Sequence, residues 1–474
     1  MSSATNTQAL TQTGVVVDGR TAGCDCTCDR DRHLFCSGPK RMLALDGGGV
    51  RGAITVAFLE QIEAVLSEHL KKPAHLGNWF DLIGGTSTGA IIAGALAMGF
   101  TTADIKRFYF ELAPKVFKRP FWRVLGLQAK YDARMLRSEI EEIVGDLALG
   151  SEELVTGLCM ISKRIDTGSP WVLANNPRSL YWETKPGDKG GKGHIGNKHY
   201  PLCNLVRAST AAPFYFDPET ISIVEGEEPG VFMDGGVTPH NNPSLRMLLL
   251  AVLGAHKLSW KTGPEHMTIV SIGTGSHRDQ VIPDELGMGR TAKLVYRTAL
   301  GLMSDIKTFV LVQMQYLGEC LTPWTIDSEI GALCGEAPPG GKMFRFMRYD
   351  VQLELPWIEE HLGDEVEKEF GRKLTEIDVL RMRSLDDPSI IEDIYKLGRI
   401  AAKKQVKPEH WIGELATWCQ GRQPSAAARH MRPRKPEDAL GRTWARYGKA
   451  ISRSLSYFRS WIVRRFNPTA KQPF

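Results

Sequence analysis

Phe80-Asp81-Leu82-Ile83-Gly84-Gly85-Thr86-Ser87-Thr88-Gly89-Ala90-Ile91-Ile92-Ala93 is the stretch that decides the fold of this 474-residue chain. Its first part is short and apolar, the pattern of a buried strand. From Ala90 to Met98 the residues are small and apolar, the pattern of a buried helix. Between them stands Gly85-x-Ser87-x-Gly89. A serine at such a strand-to-helix corner is held in a strained backbone conformation that pushes its hydroxyl out at the sheet edge. The start of the following helix aims backbone N–H groups and a positive dipole end at the same place. One turn thus builds both a nucleophile and a site for negative charge, with Ser87 as the candidate.

Upstream, 41–45 reads as a strand that runs into Asp46-Gly47-Gly48-Gly49-Val50-Arg51-Gly52. Consecutive glycines can turn several N–H groups inward around an anion. The loop lacks both the G-K-[ST] of a P-loop and the G-x-G-x-x-G of a dinucleotide site. Two glycine-rich turns, each after a strand and before a helix, predict adjacent parallel strands whose carboxyl ends share a crevice. Gly47, Gly48 and Gly49 would then face Ser87 as oxyanion donors.

Downstream, strands are expected at 158–165, 171–174, 231–233 and 268–272, with an apolar helix over 244–253. The strand at 231–233 delivers Asp234-Gly235-Gly236, so Asp234 is the candidate proton acceptor. Asp46, Asp81 and Asp217 compete with it. A Ser–His–Asp arrangement using His240 stays open as a minor alternative. The alternation of strands and helices over 39–280 predicts an α/β fold with three α/β/α layers. A mainly helical accessory region is expected over 281–420, helical at 294–320 and 359–404, with one more strand or hairpin arm within 343–355.

Taken together, Asp46-Gly-Gly-Gly-Val-Arg-Gly52, Gly85-Thr-Ser-Thr-Gly89 and Asp234-Gly-Gly236 resemble the three motifs of patatin-like phospholipases, in the family's order. Ala208-Ser-Thr-Ala-Ala-Pro213 and Ser271-Ile-Gly-Thr-Gly275 resemble its secondary signatures. The resemblance covers roughly residues 40–280. It implies a lipid acyl hydrolase with a Ser–Asp dyad, no catalytic histidine and no cofactor or metal. By motif position Ser87 would be the nucleophile, Asp234 its partner, Gly47, Gly48 and Gly49 the oxyanion hole, and Arg51 a supporting residue in the loop's basic position. An acyltransferase using the same site, or a membrane-binding module with a vestigial site, are the alternatives.

Composition sets the surroundings. With 42% apolar and 24% charged residues the chain reads as globular. No apolar run reaches the roughly 18 residues of a bilayer span. Residues 1–20 carry no signal-like apolar core. Nine cysteines in this length suit a reducing compartment, and a cytoplasmic protein working at a membrane surface is expected. Residues 1–38 read as a flexible arm with Cys24, Cys26, Cys28 and Cys36. That spacing is not the C-x2-C pairing of ordinary zinc fingers, so free or redox-labile thiols are preferred to a metal site.

The net charge of +5 hides an asymmetry, since 421–474 alone carries +11. In this tail Trp444, Tyr447, Ile451, Leu455, Phe458 and Ile462 form a helical stripe beside Arg442, Arg446, Lys449 and Arg453. Such a helix suits an anionic lipid surface better than nucleic acid, and a helix docked on the protein's own core with a solvated basic face is the alternative. A phospholipid or other acyl lipid is therefore the expected substrate, and a membrane surface the expected partner.

Overall fold

β1 (Lys40–Leu45) has all six residues buried, as a parallel strand covered on both faces must. The computed structural model to which it belongs describes residues 26, 28–117, 129–187, 193–278 and 305–411. β2 (Leu82–Thr86) pairs in parallel with β1, with Leu45 opposite Gly85. The glycine run and Ser87 therefore leave the sheet side by side, as the two glycine-rich turns predict.

Seven further strands complete a nine-stranded sheet: β3 (Gly157–Arg164), β4 (Ser169–Ala174), β5 (Glu219–Ile221), β6 (Gly230–Asp234), β7 (Met267–Ile272), β8 (Gly318–Thr322) and β9 (Phe344–Tyr349). The order is β5-β6-β3-β2-β1-β7-β9-β8, with β4 antiparallel on β3. From β3 to β8 neighbouring strands are parallel. β6 runs against β3. Its register decides the site: Thr86 lies opposite Ile161, and the next residue of β3, Ser162, lies opposite Asp234. Residues 87 and 234 are thus brought to one level of the sheet.

Helices cover both faces. α1 (Asp29–Phe35), α2 (Gly52–Leu70), α3 (Leu76–Trp79), α4 (Thr88–Ala97), α5 (Thr102–Val116), α6 (Ala133–Val144), α7 (Leu202–Ser209) and α8 (Ser244–Val252) precede the helix at 305–317, here α9. α10 (Leu355–Phe370), α11 (Glu376–Met382) and α12 (Ile391–Gln405) follow. On one face α2 packs on the sheet, with Phe58 stacked on Tyr349 at 5.8 Å, and α12 packs on α2. Gly398 allows that approach, because a Cβ there would stand 2.9 Å from the Ile54 Cα. On the other face Met247, Leu248 and Ala251 of α8 and Val310 and Met314 of α9 bury against Met42, Ile269, Phe344 and Phe346. The result is the expected three-layer α/β/α arrangement. Among the described residues no helix is long and apolar enough to cross a membrane.

Two features depart from the sequence reading. Residues 28–38 are not a loosely held arm. α1 docks Leu34, 1% exposed, into the core cluster, its His33 Nδ1 lies 3.1 Å from the buried Asp81 carboxylate, and the Trp260 indole donates to the Leu34 carbonyl at 2.8 Å. Burying one leucine stabilises by about 1.5–3 kcal/mol, enough with these bonds to seat a two-turn helix. Cys26 is disulfide-bonded, Cys28 and Cys36 are thiols outside any disulfide, and among the described residues no three His, Cys, Asp or Glu side chains group as metal ligands. Cys24 lies outside the described residues. The second departure concerns the region after 280: besides β9, the strand expected within 343–355, it contributes an unexpected strand, β8, to the same sheet. The helix expected to reach 320 stops at 317 and passes directly into β8. The basic tail at 421–474 lies outside the described residues.

Candidate active site

The turn between β2 and α4 holds Ser87 at φ 55°, ψ −123°, a left-handed conformation rare for a residue with a side chain. The flanking glycines explain how it is tolerated. A Cβ on Gly85 would fall 2.1 Å from the Gly89 carbonyl oxygen, and one on Gly89 would fall 2.2 Å from that of Leu45. Only bare backbone lets β2, the turn and β1 cross so closely. Ser87 N–H donates to Ser209 Oγ at 2.9 Å, and Ser209 Oγ donates to the Ile161 carbonyl at 2.6 Å. The Ala208–Pro213 signature therefore ties the serine corner to β3.

Ser87 Oγ donates directly to Asp234 Oδ2 at 2.5 Å. The other carboxylate oxygen accepts the Gly236 N–H at 2.7 Å, so the side chain is fixed from both ends. Asp234 is 4% exposed. Burial pushes its carboxyl up to about 6, while the Ser87 hydroxyl, the Gly236 N–H and the Arg207 charge pull the other way. His240 does not stand between the two. Its Nδ1 has no hydrogen-bond partner among the described residues, and burial pushes the ring down to about 4, with the Arg246 charge adding to it. The competing acids are occupied elsewhere. Asp46 is held by Arg348 at 3.2 and 2.8 Å, and Asp81 accepts the Arg41 N–H at 2.8 Å and faces His33. Asp217 is exposed.

The glycine loop abuts the serine. A Cβ on Gly47 would lie 3.0 Å from the Ser87 Cβ. Gly47 N–H is taken by the Asn241 carbonyl at 3.2 Å, and its own carbonyl accepts Thr274 Oγ1 at 2.9 Å. Gly49 has φ 57° and opens a 3-10 turn, Gly49–Arg51. Arg51 is buried at the end of that turn, with Nη1 3.3 Å from His277 Nδ1.

A segment the sequence reading missed closes the loop from outside. Leu385, just after α11, accepts the Val50 N–H at 2.9 Å, and its carbonyl oxygen fills the space where a Gly49 Cβ would be. Asp386 accepts the Tyr131 hydroxyl at 2.7 Å and pairs with Lys130. Lys130 and Tyr131 bond through their backbones to Phe214 and Tyr215. No local pattern marks these residues, since they reach the site only through tertiary contacts.

Ser87, Asp234, Gly47, Gly48, Gly49 and Arg51 all line one cavity of about 1250 Å3. Its lining is mainly apolar, with Ile91, Leu112, Val116, Phe117, Leu136, Phe216, Leu311, Trp324 and Ile326, and it includes the basic residues Arg278, Lys307 and Arg348. A cavity of this size with a mainly apolar lining and a few polar groups suits an amphiphilic ligand.

Comparison with known proteins agrees with the motifs. Residues 43–247 match the family model of the patatin-like phospholipases. A cGAMP-activated phospholipase of Escherichia coli (strain TW11681) is 29% identical over 53% of this chain and 66% of its own length. Patatin-17 of Solanum cardiophyllum is 29% identical over 50% of this chain and 60% of its own. The chain thus spans slightly under two thirds of these relatives. Among solved structures, human GIVD cytosolic phospholipase A2 matches at 11% identity and a TM-score of 0.41, over 80% of this chain and 60% of that one. The serine corner, the glycine loop and the Asp234 strand all lie within the segment that matches the patatin-like phospholipase family model.

Proposed function

We propose that this protein is a lipid acyl hydrolase of the phospholipase A type, acting through Ser87 and Asp234. The observation that carries this reading is the direct 2.5 Å bond from a strained, corner-mounted serine to a buried carboxylate in an amphiphilic cavity. Ser87 Oγ attacks the ester carbonyl carbon and its proton passes to Asp234. The carbonyl oxygen becomes an oxyanion at the glycine loop. With the Gly47 N–H already engaged, Gly48 and Gly49 are the loop's donors. Collapse of the tetrahedral intermediate breaks the ester bond, and Asp234 returns the proton to the leaving alcohol. Water, deprotonated by Asp234, then attacks the acyl-serine, and collapse releases the fatty acid and restores the Ser87 hydroxyl. Every group in this sequence is a protein side chain or backbone amide, so it calls on no cofactor.

The substrate in this reading is a phospholipid or other acyl lipid, met at a membrane surface to which the basic 421–474 tail contributes. Phe214, 77% exposed on the cavity rim, suits the same surface. The test is release of free fatty acid from phospholipid vesicles by the purified chain, beside the Ser87→Ala variant. Wild type should release fatty acid and react with a fluorophosphonate probe, and the variant should do neither. Transfer of the acyl group to an added alcohol, with no free fatty acid, would make the protein an acyltransferase instead. Fatty-acid release by Ser87→Ala at the wild-type rate would remove Ser87 from the mechanism.

A further inference from the structure

Thr274 stands in the loop that follows β7, beyond the segment that matches the family model. It lines the cavity and is buried. Both of its chain neighbours are tied down. Gly273 N–H donates to the Tyr349 carbonyl at 2.8 Å, and Gly275 N–H donates to Asp350 Oδ1 at 2.9 Å. Asp350 is itself held by Arg348 at 2.6 Å. The Gly273 carbonyl accepts Thr55 Oγ1 from α2 at 3.0 Å. A strand of the sheet and a core helix therefore fix the backbone on which Thr274 is mounted.

The side chain is delivered to the glycine loop. Thr274 Oγ1 donates to the Gly47 carbonyl at 2.9 Å, where the Asn241 Nδ2 reaches only to 3.4 Å. A Cβ on Gly48 would fall 2.2 Å from Thr274 Oγ1, 2.5 Å from its Cβ and 2.9 Å from its methyl carbon. The threonine thus bonds to one end of the Gly47–Gly48 peptide and packs on the other. That peptide is trans and planar, so its carbonyl and its N–H point in opposite directions. A bond that fixes the Gly47 carbonyl therefore also fixes the aim of the Gly48 amide. Among the described residues the Gly48 N–H has no acceptor. A donor held in place beforehand needs no reorganisation when negative charge develops. We propose that Thr274 is a positioning residue for the oxyanion hole, its hydroxyl holding the Gly48 amide toward the carbonyl oxygen that Ser87 attacks. This inference rests on the acyl-hydrolase reading and names the group that sets its transition-state donor.

The test uses the full chain with Thr274→Val, which keeps the shape and removes the hydroxyl, and Thr274→Ser, which keeps the hydroxyl and removes the methyl. Hydrolysis of p-nitrophenyl butyrate gives kcat and KM. Inhibition by an alkyl trifluoromethyl ketone, which adds to Ser87 as a hemiketal oxyanion, reads the oxyanion hole directly. In Thr274→Val, kcat should fall about 10- to 100-fold with little change in KM. The ketone's inhibition constant should rise by a similar factor, because the hemiketal carries the transition-state charge. Thr274→Ser should return both values toward wild type. Should Thr274→Val fail to fold, Thr274→Ala replaces it beside Thr274→Ser, with the same expected contrast. Wild-type kcat without the hydroxyl overturns the proposal. Equal loss in Thr274→Ser does so too, since it would assign the effect to packing, as does a fall in kcat with unchanged ketone affinity. A wild type that neither cleaves the ester nor binds the ketone removes the acyl-hydrolase reading and this inference with it, whereas an active wild type matched by Thr274→Val removes this inference alone.

Discussion

Asp234→Asn should separate activity from stability. An aspartate ordinarily titrates at 3.8, and burial raises Asp234 to about 6. The folded state therefore binds its proton more tightly than the unfolded chain does. Below about pH 4 both states are protonated and the shift costs nothing. Between about pH 4 and about 6 the unfolded chain ionises while the folded carboxyl keeps its proton, so stability falls, and the loss is complete once pH has risen through the folded value and the buried carboxyl is ionised too. The difference of about two units corresponds to about 3 kcal/mol at pH 8. Asparagine cannot ionise, and its carbonyl oxygen can still accept the Gly236 N–H. Relative to wild type, Asp234→Asn should gain about 2–3 kcal/mol in urea unfolding between pH 4 and pH 8, while losing hydrolysis. The wild-type kcat/KM should fall about tenfold per pH unit below about 6, because a protonated Asp234 cannot take the serine proton. A stability gap that stays flat from pH 4 to pH 8 would refute the buried-base reasoning, as would full wild-type activity at pH 5.

Other expectations follow from the same geometry. In Gly48→Ala the new Cβ would fall 2.2 Å from Thr274 Oγ1. Turnover should drop by about 10²–10³, the cost of a misplaced oxyanion donor, and fluorophosphonate labelling should slow in step. His240→Ala should keep wild-type turnover, since the imidazole bonds to neither Ser87 nor Asp234, and a folded variant without labelling would replace the dyad with a triad. Removing residues 441–474 should weaken co-sedimentation with anionic liposomes and slow hydrolysis there, while cleavage of short soluble esters continues. Each cation near such a surface adds about 1 kcal/mol, weakened by salt.

The core of the site was legible because its parts sit at strand ends. Ser87 and the glycine run each follow a short apolar strand, and Asp234 closes another, so the sequence alone placed all three at one crevice. Their alignment across β3 was not legible, because register depends on which strands pair. β8 was lost because Gly318-Glu-Cys-Leu-Thr322 continues from α9 without a proline, a turn or a change of composition. α1 was lost because two helical turns carry too little periodicity, and its single buried leucine matters only once the sheet exists. Leu385 had no signal at all. Its role comes from what the fold sets opposite it.

The contact between Leu385 and Val50 bears on how this protein can be cut and recombined. The recognisable family segment ends at residue 247, yet the backbone that presses on its glycine loop comes from residue 385. A fragment trimmed at the family boundary would carry every motif residue and lack the backstop behind them. Chimeras that exchange the conserved segment between relatives would place a foreign carbonyl against the same loop. Inheritance of the motifs is therefore not inheritance of the whole site: residues 383–386 must travel with the segment they brace, and substitutions there can reshape the glycine loop while every signature stays intact.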